Sequence, residues 1–138
     1  MLNLTNPAAV KALLQQHGFT FSKALGQNFL INPSVCPKMA ELGGAKAGYG
    51  VLEIGPGIGV LTQELAQRAD KVVAVELDQR LFPLLHETLS EFENIRLIQG
   101  DILKVDLAQL LAQEFGDKPV VVCANLPYYI TSPVLMRL

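Results

Sequence analysis

The chain has 138 residues, half of them hydrophobic, and a formal net charge of −2. This length is typical of one domain with a hydrophobic core, and the composition excludes a disordered tail. The longest apolar run, Val120–Ala124, is far shorter than the roughly 20 residues that cross a bilayer, and the N-terminus does not resemble a secretory signal. Cys36 and Cys123 have no CxxC spacing, so neither a metal site nor a disulfide framework is predicted, and the sequence favours a cytoplasmic protein.

Two helix starts are predicted in residues 1–48. Asn6-Pro7 is an N-cap followed by a first-turn proline, and Gly18 ends the short helix that it opens. Asn32-Pro33 repeats this signal, and Gly43-Gly44 is the predicted exit. The segment between the two helices, FTFSKALGQNFLIN, has no clean period, and segments of this kind often carry function. Residues 1–48 are therefore predicted to form an N-terminal helical segment.

From residue 49 to residue 138, short apolar runs alternate with helical stretches. This alternation predicts an α/β fold with a mostly parallel sheet and helices on both faces. The predicted strands are Val51–Ile54, Lys71–Glu76, Ile95–Gln99 and Val120–Ala124, and the predicted helices are Val60–Arg68, Leu81–Leu89 and Leu107–Gln113, with Asp78 and Asp106 as caps. Because the last strand would be left as an apolar edge, residues 49–138 are predicted to be an incomplete domain, truncated after about four strands.

The turn after the first strand, Gly55-Pro56-Gly57-Ile58-Gly59, is of the nucleotide-binding type, because its glycines let a ligand approach the backbone. The dinucleotide pattern G-x-G-x-x-G would need glycine at Val60. The carboxylate of Glu53 would repel a pyrophosphate but favour the sulfonium and ammonium groups of S-adenosylmethionine. These features favour a methyl donor bound by Glu53, Gly55, Gly57 and Gly59, whereas a tight turn without a ligand stays an alternative.

Two acidic residues follow the next strands at the carboxyl edge of the predicted sheet, where ligands of open parallel sheets bind. Glu76 ends the second strand and can accept hydrogen bonds from both ribose hydroxyls of a cofactor. Asp101 follows the third strand and can accept from an adenine amino group, while Ile102 packs on the ring. A solvated strand-end acid at Glu76 and a turn cap at Asp101 are the alternatives.

The segment Asn125-Leu126-Pro127-Tyr128-Tyr129 directly follows the fourth strand and predicts the catalytic residues. An exocyclic adenine amine is a poor nucleophile, and two aligned acceptors can direct its lone pair at a methyl group. The side-chain oxygen of Asn125 and the carbonyl of Leu126 are suitable acceptors. Pro127 stiffens the turn, and Tyr128 offers a face on which an extruded base can stack. An ordinary turn with buried tyrosines is the alternative.

From about Phe21 to the last residue, the sequence resembles the bacterial small-subunit rRNA adenine-N6,N6-dimethyltransferases. The segments that carry this resemblance are KALGQNFL from Lys23, EIGPGIG from Glu53 with Leu61-Thr62, Gly100-Asp101, and Asn125 to Pro133. The resemblance implies a Rossmann-like methyltransferase fold with S-adenosylmethionine as its cofactor. Asn28 and Leu30 would then close over the cofactor as part of a lid, and Asn125 would touch the cofactor and present the target amine.

The family's activity implies two successive methyl transfers to each of two neighbouring adenosines near the 3′ end of small-subunit rRNA, and a role in ribosome biogenesis. The implied partner is the small-subunit rRNA within the pre-30S particle, with no membrane contact, and the full-length form is expected to be a monomer. Family members continue through further strands and a helical C-terminal domain. We therefore expect this chain to bind S-adenosylmethionine weakly and to dimethylate rRNA poorly.

Four other functions are compatible with parts of the sequence. A large-subunit rRNA adenine N6-methyltransferase of the macrolide-resistance type shares the cofactor loop, but typically has Asn where this chain has Tyr129. DNA adenine methyltransferases usually read N-P-P-Y or D-P-P-Y instead. A dinucleotide-dependent oxidoreductase would bind NAD(H). A non-catalytic RNA-binding assembly factor would keep the fold and lose methyl transfer.

Overall fold

The computed structural model describes residues 6–18, 40–41 and 43–124. The elements in chain order are helix α1 (Pro7–Gln16), strand β1 (Gly50–Ile54), helix α2 (Val60–Arg68), strand β2 (Lys71–Glu76), a 3-10 turn (Gln79–Leu81), helix α3 (Phe82–Thr88), strand β3 (Ile95–Gln99), helix α4 (Leu107–Phe115) and strand β4 (Val120–Ala124). The predicted strand-helix alternation is therefore confirmed for this part of the chain.

The strands form one parallel sheet with the order β3-β2-β1-β4. Strand β1 pairs with β2 on one side and with β4 on the other, and Ile54 at its end is opposite Val75 and Ala124. Every residue of β1 is buried, as expected for a strand that is covered on both faces. The carboxyl ends of β1 and β2 consequently lie side by side, and this edge positions the candidate site.

Alternate residues of the sheet pack into two separate cores. Val51 and Val72 face α2, where they pack with Leu61 and Leu65. The residues on the other face pack with α4, in a cluster that contains Leu52, Ile54, Val73, Val75, Leu110 and Phe115. Because side chains alternate along a strand, this division confirms the prediction of helices on both faces.

Helix α1 packs against the sheet domain. Val10, Leu13 and Leu14 on its apolar face form a cluster with Ile58 of the glycine turn and with Leu84 of α3. At its C-terminal end, His17 Nε2 lies 2.6 Å from Glu87 Oε2. The helix predicted from Asn6-Pro7 thus shares a core with the turn that was predicted to bind the cofactor.

Local signals in the sequence account for most helix boundaries. The side chains of Asn6 and Asp106 accept hydrogen bonds from backbone N–H groups of the first turns of α1 and α4, as predicted for N-caps. Asp78 caps the 3-10 turn instead of an α-helix, and Pro83 lies in the first turn of α3, where its missing N–H is not needed. The second predicted helix start, Asn32-Pro33, lies outside the described residues. Within them, no helix is long and apolar enough to span a membrane.

Candidate cofactor site

The glycine turn between β1 and α2 has a backbone that only glycine adopts readily. Gly55, Gly57 and Gly59 have φ angles of 70°, 60° and 95°. L-amino acids with side chains are strained in this region, so each of the three positions requires glycine for its conformation. The backbone N–H of Gly55 donates to the carbonyl of Val75 at 2.9 Å, which ties the start of the turn to β2.

Gly57 and Gly59 have different surroundings. A Cβ built on Gly57 meets no heavy atom of the described residues within 4 Å, whereas one built on Gly59 would lie 2.9 Å from Thr88 Oγ1 and 3.2 Å from Leu89 Cδ2. Gly59 is therefore needed for packing between α2 and α3. No described residue fills the space beside Gly57 at the carboxyl edge of the sheet, so a flat or extended ligand group can approach its backbone there.

Glu76 connects the end of β2 to this turn. Its Oε1 accepts a hydrogen bond from the backbone N–H of Gly57 at 3.2 Å, and its Oε2 accepts one from the backbone N–H of Asp78 at 2.9 Å. Burial raises the pKa of this carboxyl group, and these two backbone donors partly offset the effect. The backbone N–H of Leu77 also lowers the pKa of this carboxyl group. A carboxylate has about four lone-pair sites, so Glu76 can still accept from a ligand hydroxyl.

Glu53 lies on β1 with a side chain that is only 1 % exposed. The hydroxyl of Thr62 on α2 donates a hydrogen bond to its Oε1. The pKa of Glu53 is raised to about 8. Burial is the largest cause, the Thr62 hydroxyl lowers the pKa in part, and repulsion from the nearby Glu76 adds to the increase. The predicted attraction of a sulfonium cofactor requires an ionised carboxylate at this position. The structure instead gives a side chain that is mostly protonated at pH 7 in the absence of a ligand.

Asp101 follows β3 at the same edge of the sheet. The backbone N–H of Gly100 donates to the carbonyl of Glu76 at 3.0 Å, which brings the ends of β2 and β3 together. Asp101 Oδ1 accepts a hydrogen bond from the backbone N–H of Leu103 at 2.9 Å, so Asp101 has the capping function considered from the sequence. Ile102 is only 5 % exposed and belongs to the core on the α4 face, which leaves little of its surface for an adenine ring.

Leu77 was missed by the sequence reasoning. It follows Glu76 directly, and its side chain is 62 % exposed, although leucine is usually buried. Its exposure could have been predicted from the sequence, because an apolar residue directly after the last residue of a strand has no neighbouring strand residue to pack against. Leu77 therefore provides apolar surface next to the ribose-binding candidate.

Several predicted site residues lie outside the described residues: Asn28 and Leu30 of the N-terminal segment, and Asn125, Leu126, Pro127 and Tyr128 after β4. Within the described residues, no group of three or more His, Cys, Asp or Glu side chains is arranged to hold a metal ion. The residues of the predicted site that the structure brings together are Glu53, Gly55, Gly57 and Glu76, with Asp101 after the end of the neighbouring strand β3.

The fold and this edge of the sheet define a class of protein, the Rossmann-like methyltransferases that bind a nucleoside cofactor beyond β1 and β2. The model of the ribosomal RNA adenine dimethylase family matches residues 18–138, so the chain belongs to this family. Membership confirms the predicted family and fold class, and S-adenosylmethionine is the methyl donor expected for these dimethylases.

The sequence is similar to two curated ribosomal RNA small subunit methyltransferases A. It is 48% identical over 137 residues to the protein of Anoxybacillus flavithermus and 50% identical over 137 residues to that of Shouchella clausii, in each case covering 99% of this chain and 46% of the relative. The chain thus spans about half the length of the curated relatives it matches.

Solved structures show the same fold. The 23S rRNA methyltransferase ErmE is similar with a TM-score of 0.65 and 33% identity, covering 76% of this chain and 40% of that protein. A dimethyladenosine transferase from Plasmodium falciparum is similar with a TM-score of 0.62 and 30% identity, covering 77% of this chain and 36% of that protein. The two relatives that are 48% and 50% identical over 137 aligned residues are named as small-subunit methyltransferases, whereas the 23S rRNA methyltransferase is 33% identical. This difference supports the small-subunit prediction over the large-subunit alternative.

Proposed function

We propose that this chain contains the cofactor-binding part of a small-subunit rRNA adenine-N6,N6-dimethyltransferase. The observation that carries the proposal is the position of Glu76, whose carboxylate is fixed by the backbone N–H groups of Gly57 and Asp78. None of the described residues fills the space beside Gly57. When bound there, S-adenosylmethionine supplies an electrophilic methyl group. Its ribose hydroxyls would donate to Glu76, and Leu77 would cover one face of its adenine.

The other predicted residues have proposed roles in the same site. The backbone of Gly55 and Gly57 would lie against the cofactor, and Asp101 would accept a hydrogen bond from its adenine amino group through Oδ2, since Oδ1 accepts from Leu103. Asn28 and Leu30 would close over the cofactor. Gly59 and Ile102 would support the site from the core without direct contact, because packing occupies the space around them.

Transfer of the methyl group needs an oriented adenine amine. We assign this role to Asn125 and Leu126, whose side-chain and backbone carbonyl oxygens would accept the two amine hydrogens and aim the nitrogen lone pair at the methyl group. Pro127 would stiffen the turn, and Tyr128 would stack on the base. The proposed substrates are two adjacent adenosines near the 3′ end of small-subunit rRNA.

The proposed setting is ribosome biogenesis in the cytoplasm, with the pre-30S particle as the partner and a monomeric full-length enzyme. The name shared by the curated relatives, ribosomal RNA small subunit methyltransferase A, supports small-subunit rRNA as the partner. The division into an N-terminal helical or lid segment, residues 1–48, and a methyltransferase domain, residues 49–138, is part of the proposal. The packing of α1 against Ile58 places this helix close to the cofactor turn, which supports a role of the N-terminal segment in the site.

Calorimetric titration tests the cofactor assignment. The chain should bind S-adenosylmethionine, and binding should weaken when Glu76 is replaced by Gln, whereas NAD(H) should produce no saturable heat. Saturable NAD(H) binding in the absence of S-adenosylmethionine binding would favour a dinucleotide-dependent oxidoreductase.

A methylation assay with the full-length protein tests the substrate. Separate incubation with immature small and large ribosomal subunits should give dimethyladenosine only in the small-subunit rRNA. Asn125→Ala should abolish methylation and leave RNA binding intact. Unchanged ribosome assembly with Asn125→Ala, in cells that depend on this protein, would support an assembly factor that acts without catalysis.

A further inference from the structure

Glu53 is a buried acid without a counter-charge among the described residues. It lies on β1, between the two neighbouring strands, opposite Ala74 of β2 and Cys123 of β4. Its side chain is 1 % exposed, and its hydrogen-bond partner is the neutral hydroxyl of Thr62 on α2. A buried carboxylate needs a nearby positive charge or several donors to compensate for lost hydration.

The titratable groups that face Glu53 from the neighbouring elements oppose its ionisation. Glu76 on β2 raises the pKa of Glu53 by charge repulsion, in addition to the larger effect of burial. Cys123 on β4 is a buried thiol whose own pKa is raised, so it is neutral. Helix α2 contributes the hydroxyl of Thr62, which lowers the pKa of Glu53 only in part. A proton therefore remains on Glu53 at pH 7 while the site lacks a cation.

The proposed cofactor carries the missing charge. S-adenosylmethionine has a sulfonium, an ammonium and a carboxylate, so its net charge is positive, whereas the product S-adenosylhomocysteine has a neutral thioether in place of the sulfonium. Glu53 is two residues from Gly55 and close enough to Glu76 to sense its charge. Both carboxyl groups are buried, so a cation bound at the glycine turn would act on them more strongly than on groups in water.

Resting on the proposed function, we propose that Glu53 recognises the positive charge of S-adenosylmethionine by giving up its proton when the cofactor binds. The O–H bond of the Glu53 carboxyl group breaks, the proton passes to the buffer, and both bonding electrons stay on the carboxylate. The carboxylate keeps the hydrogen bond from Thr62 and is balanced by the cationic cofactor. Glu53 thereby favours the charged methyl donor over the neutral product, because product binding leaves the proton in place.

Calorimetry in buffers with different ionisation enthalpies measures this proton directly. At pH 7, a group with a pKa of about 8 is roughly nine-tenths protonated, so we expect the full chain to release roughly 0.9 proton per S-adenosylmethionine bound. S-adenosylhomocysteine should release much less. Between pH 6 and pH 7 the Kd for S-adenosylmethionine should fall by about tenfold, since one proton is exchanged for one cation.

Three variants separate Glu53 from other sources of the proton. Glu53→Gln should bind S-adenosylmethionine with almost no proton release and with a smaller preference over S-adenosylhomocysteine. Glu64→Gln is the matched control, because Glu64 lies on α2 and pairs with Arg68 at 2.7 Å, and its release should equal that of the parent chain. If Glu53→Gln does not fold, Thr62→Val provides the test: loss of the hydroxyl should weaken binding of S-adenosylmethionine at pH 7 more than binding of S-adenosylhomocysteine.

The outcomes distinguish this proposal from the proposed function. Binding of S-adenosylmethionine without proton release would overturn the proton exchange and leave the function in place. Undiminished release by Glu53→Gln would also overturn it and assign the proton to another group, such as Glu76. Equal weakening of both ligands by Thr62→Val would contradict the role of Glu53 in charge recognition. Failure of the chain to bind S-adenosylmethionine would overturn both proposals.

Discussion

The carboxylate of Glu76 accepts a hydrogen bond from the backbone N–H of Gly57 at 3.2 Å. The acid predicted to hold the ribose therefore also fixes the conformation of the turn that it faces. This arrangement joins β2 to the segment between β1 and α2. It means that the binding of the ribose and the shape of the glycine turn depend on the same side chain.

Replacing Glu76 by Gln should weaken S-adenosylmethionine binding about 10- to 100-fold, because charge-assisted hydrogen bonds contribute about 1.5–3 kcal/mol. Titration calorimetry provides the Kd. Glu93→Gln is a suitable control, since Glu93 is exposed in the connection before β3. Equal affinities of the Glu76 variant and the control would show that Glu76 does not hold the ligand.

Alanine substitutions in the glycine turn should have different effects at two positions. Gly59→Ala should destabilise the fold by more than the roughly 1–2 kcal/mol of backbone strain, because the new Cβ would also contact Thr88 Oγ1. Gly57→Ala introduces backbone strain but no such contact, so its main effect should be a loss of cofactor affinity and not a large loss of stability. Urea unfolding and ligand titration of both variants make the comparison. A larger stability loss at Gly57 than at Gly59 would contradict the geometry.

Substitution of Leu77 should affect cofactor binding and leave stability unchanged. Its side chain is mostly exposed, so Leu77→Ser removes little buried surface from the folded protein. If the adenine covers it, the loss of about 1.5–3 kcal/mol should raise the Kd for S-adenosylmethionine by tenfold or more. Leu77→Met keeps the apolar surface and should retain affinity. Wild-type affinity of Leu77→Ser would exclude this contact.

Truncation of the Leu14 side chain tests whether α1 supports the cofactor turn. Leu14 is fully buried and packs in the cluster that contains Ile58 and Leu84. Leu14→Ala should destabilise the protein by about 2–5 kcal/mol and raise the Kd for S-adenosylmethionine, since the turn loses support. Lys11→Ala on the exposed face of α1 is the control and should change neither quantity. Chemical unfolding and titration measure both.

The ionisation of Glu53 should make the protein less stable as the pH rises. In the unfolded chain Glu53 ionises near its ordinary pKa of 4.5, whereas the folded protein holds the proton until about pH 8. The folded state binds more protons than the unfolded state in this window. The contribution of protonated Glu53 to the free energy of unfolding is therefore fully present below pH 4.5 and is lost as the pH rises through 8. Glu53→Gln should therefore gain stability relative to the parent chain between pH 5 and pH 8, on the order of a few kcal/mol at most. Denaturant unfolding at both pH values measures the gain, and a pH-independent difference would contradict the raised pKa.

Strand and helix positions were largely predictable because they depend on local patterns. The apolar runs located β2, β3 and β4 at their observed bounds, and α2 likewise. Helix α4 continues to Phe115, two residues beyond the predicted end, because Phe115 is buried in the core on its face of the sheet. That extension depends on tertiary packing, which periodicity within the helix does not include.

The sequence by itself determined the family, the glycine turn and the acidic ends of the strands, because these are properties of residue type and spacing. Only the tertiary structure decided how residues of the same type differ in their surroundings. Within the described part of the chain, the space beside Gly57 is unfilled whereas a Cβ at Gly59 would meet Thr88. In the same part, Glu53 is buried with a neutral hydroxyl as its partner, while Glu76 accepts from the backbone N–H groups of Gly57 and Asp78. The physical reason is that burial and charge interactions sum over atoms that are distant in the chain, so the chemistry of a side chain depends on what the fold places around it.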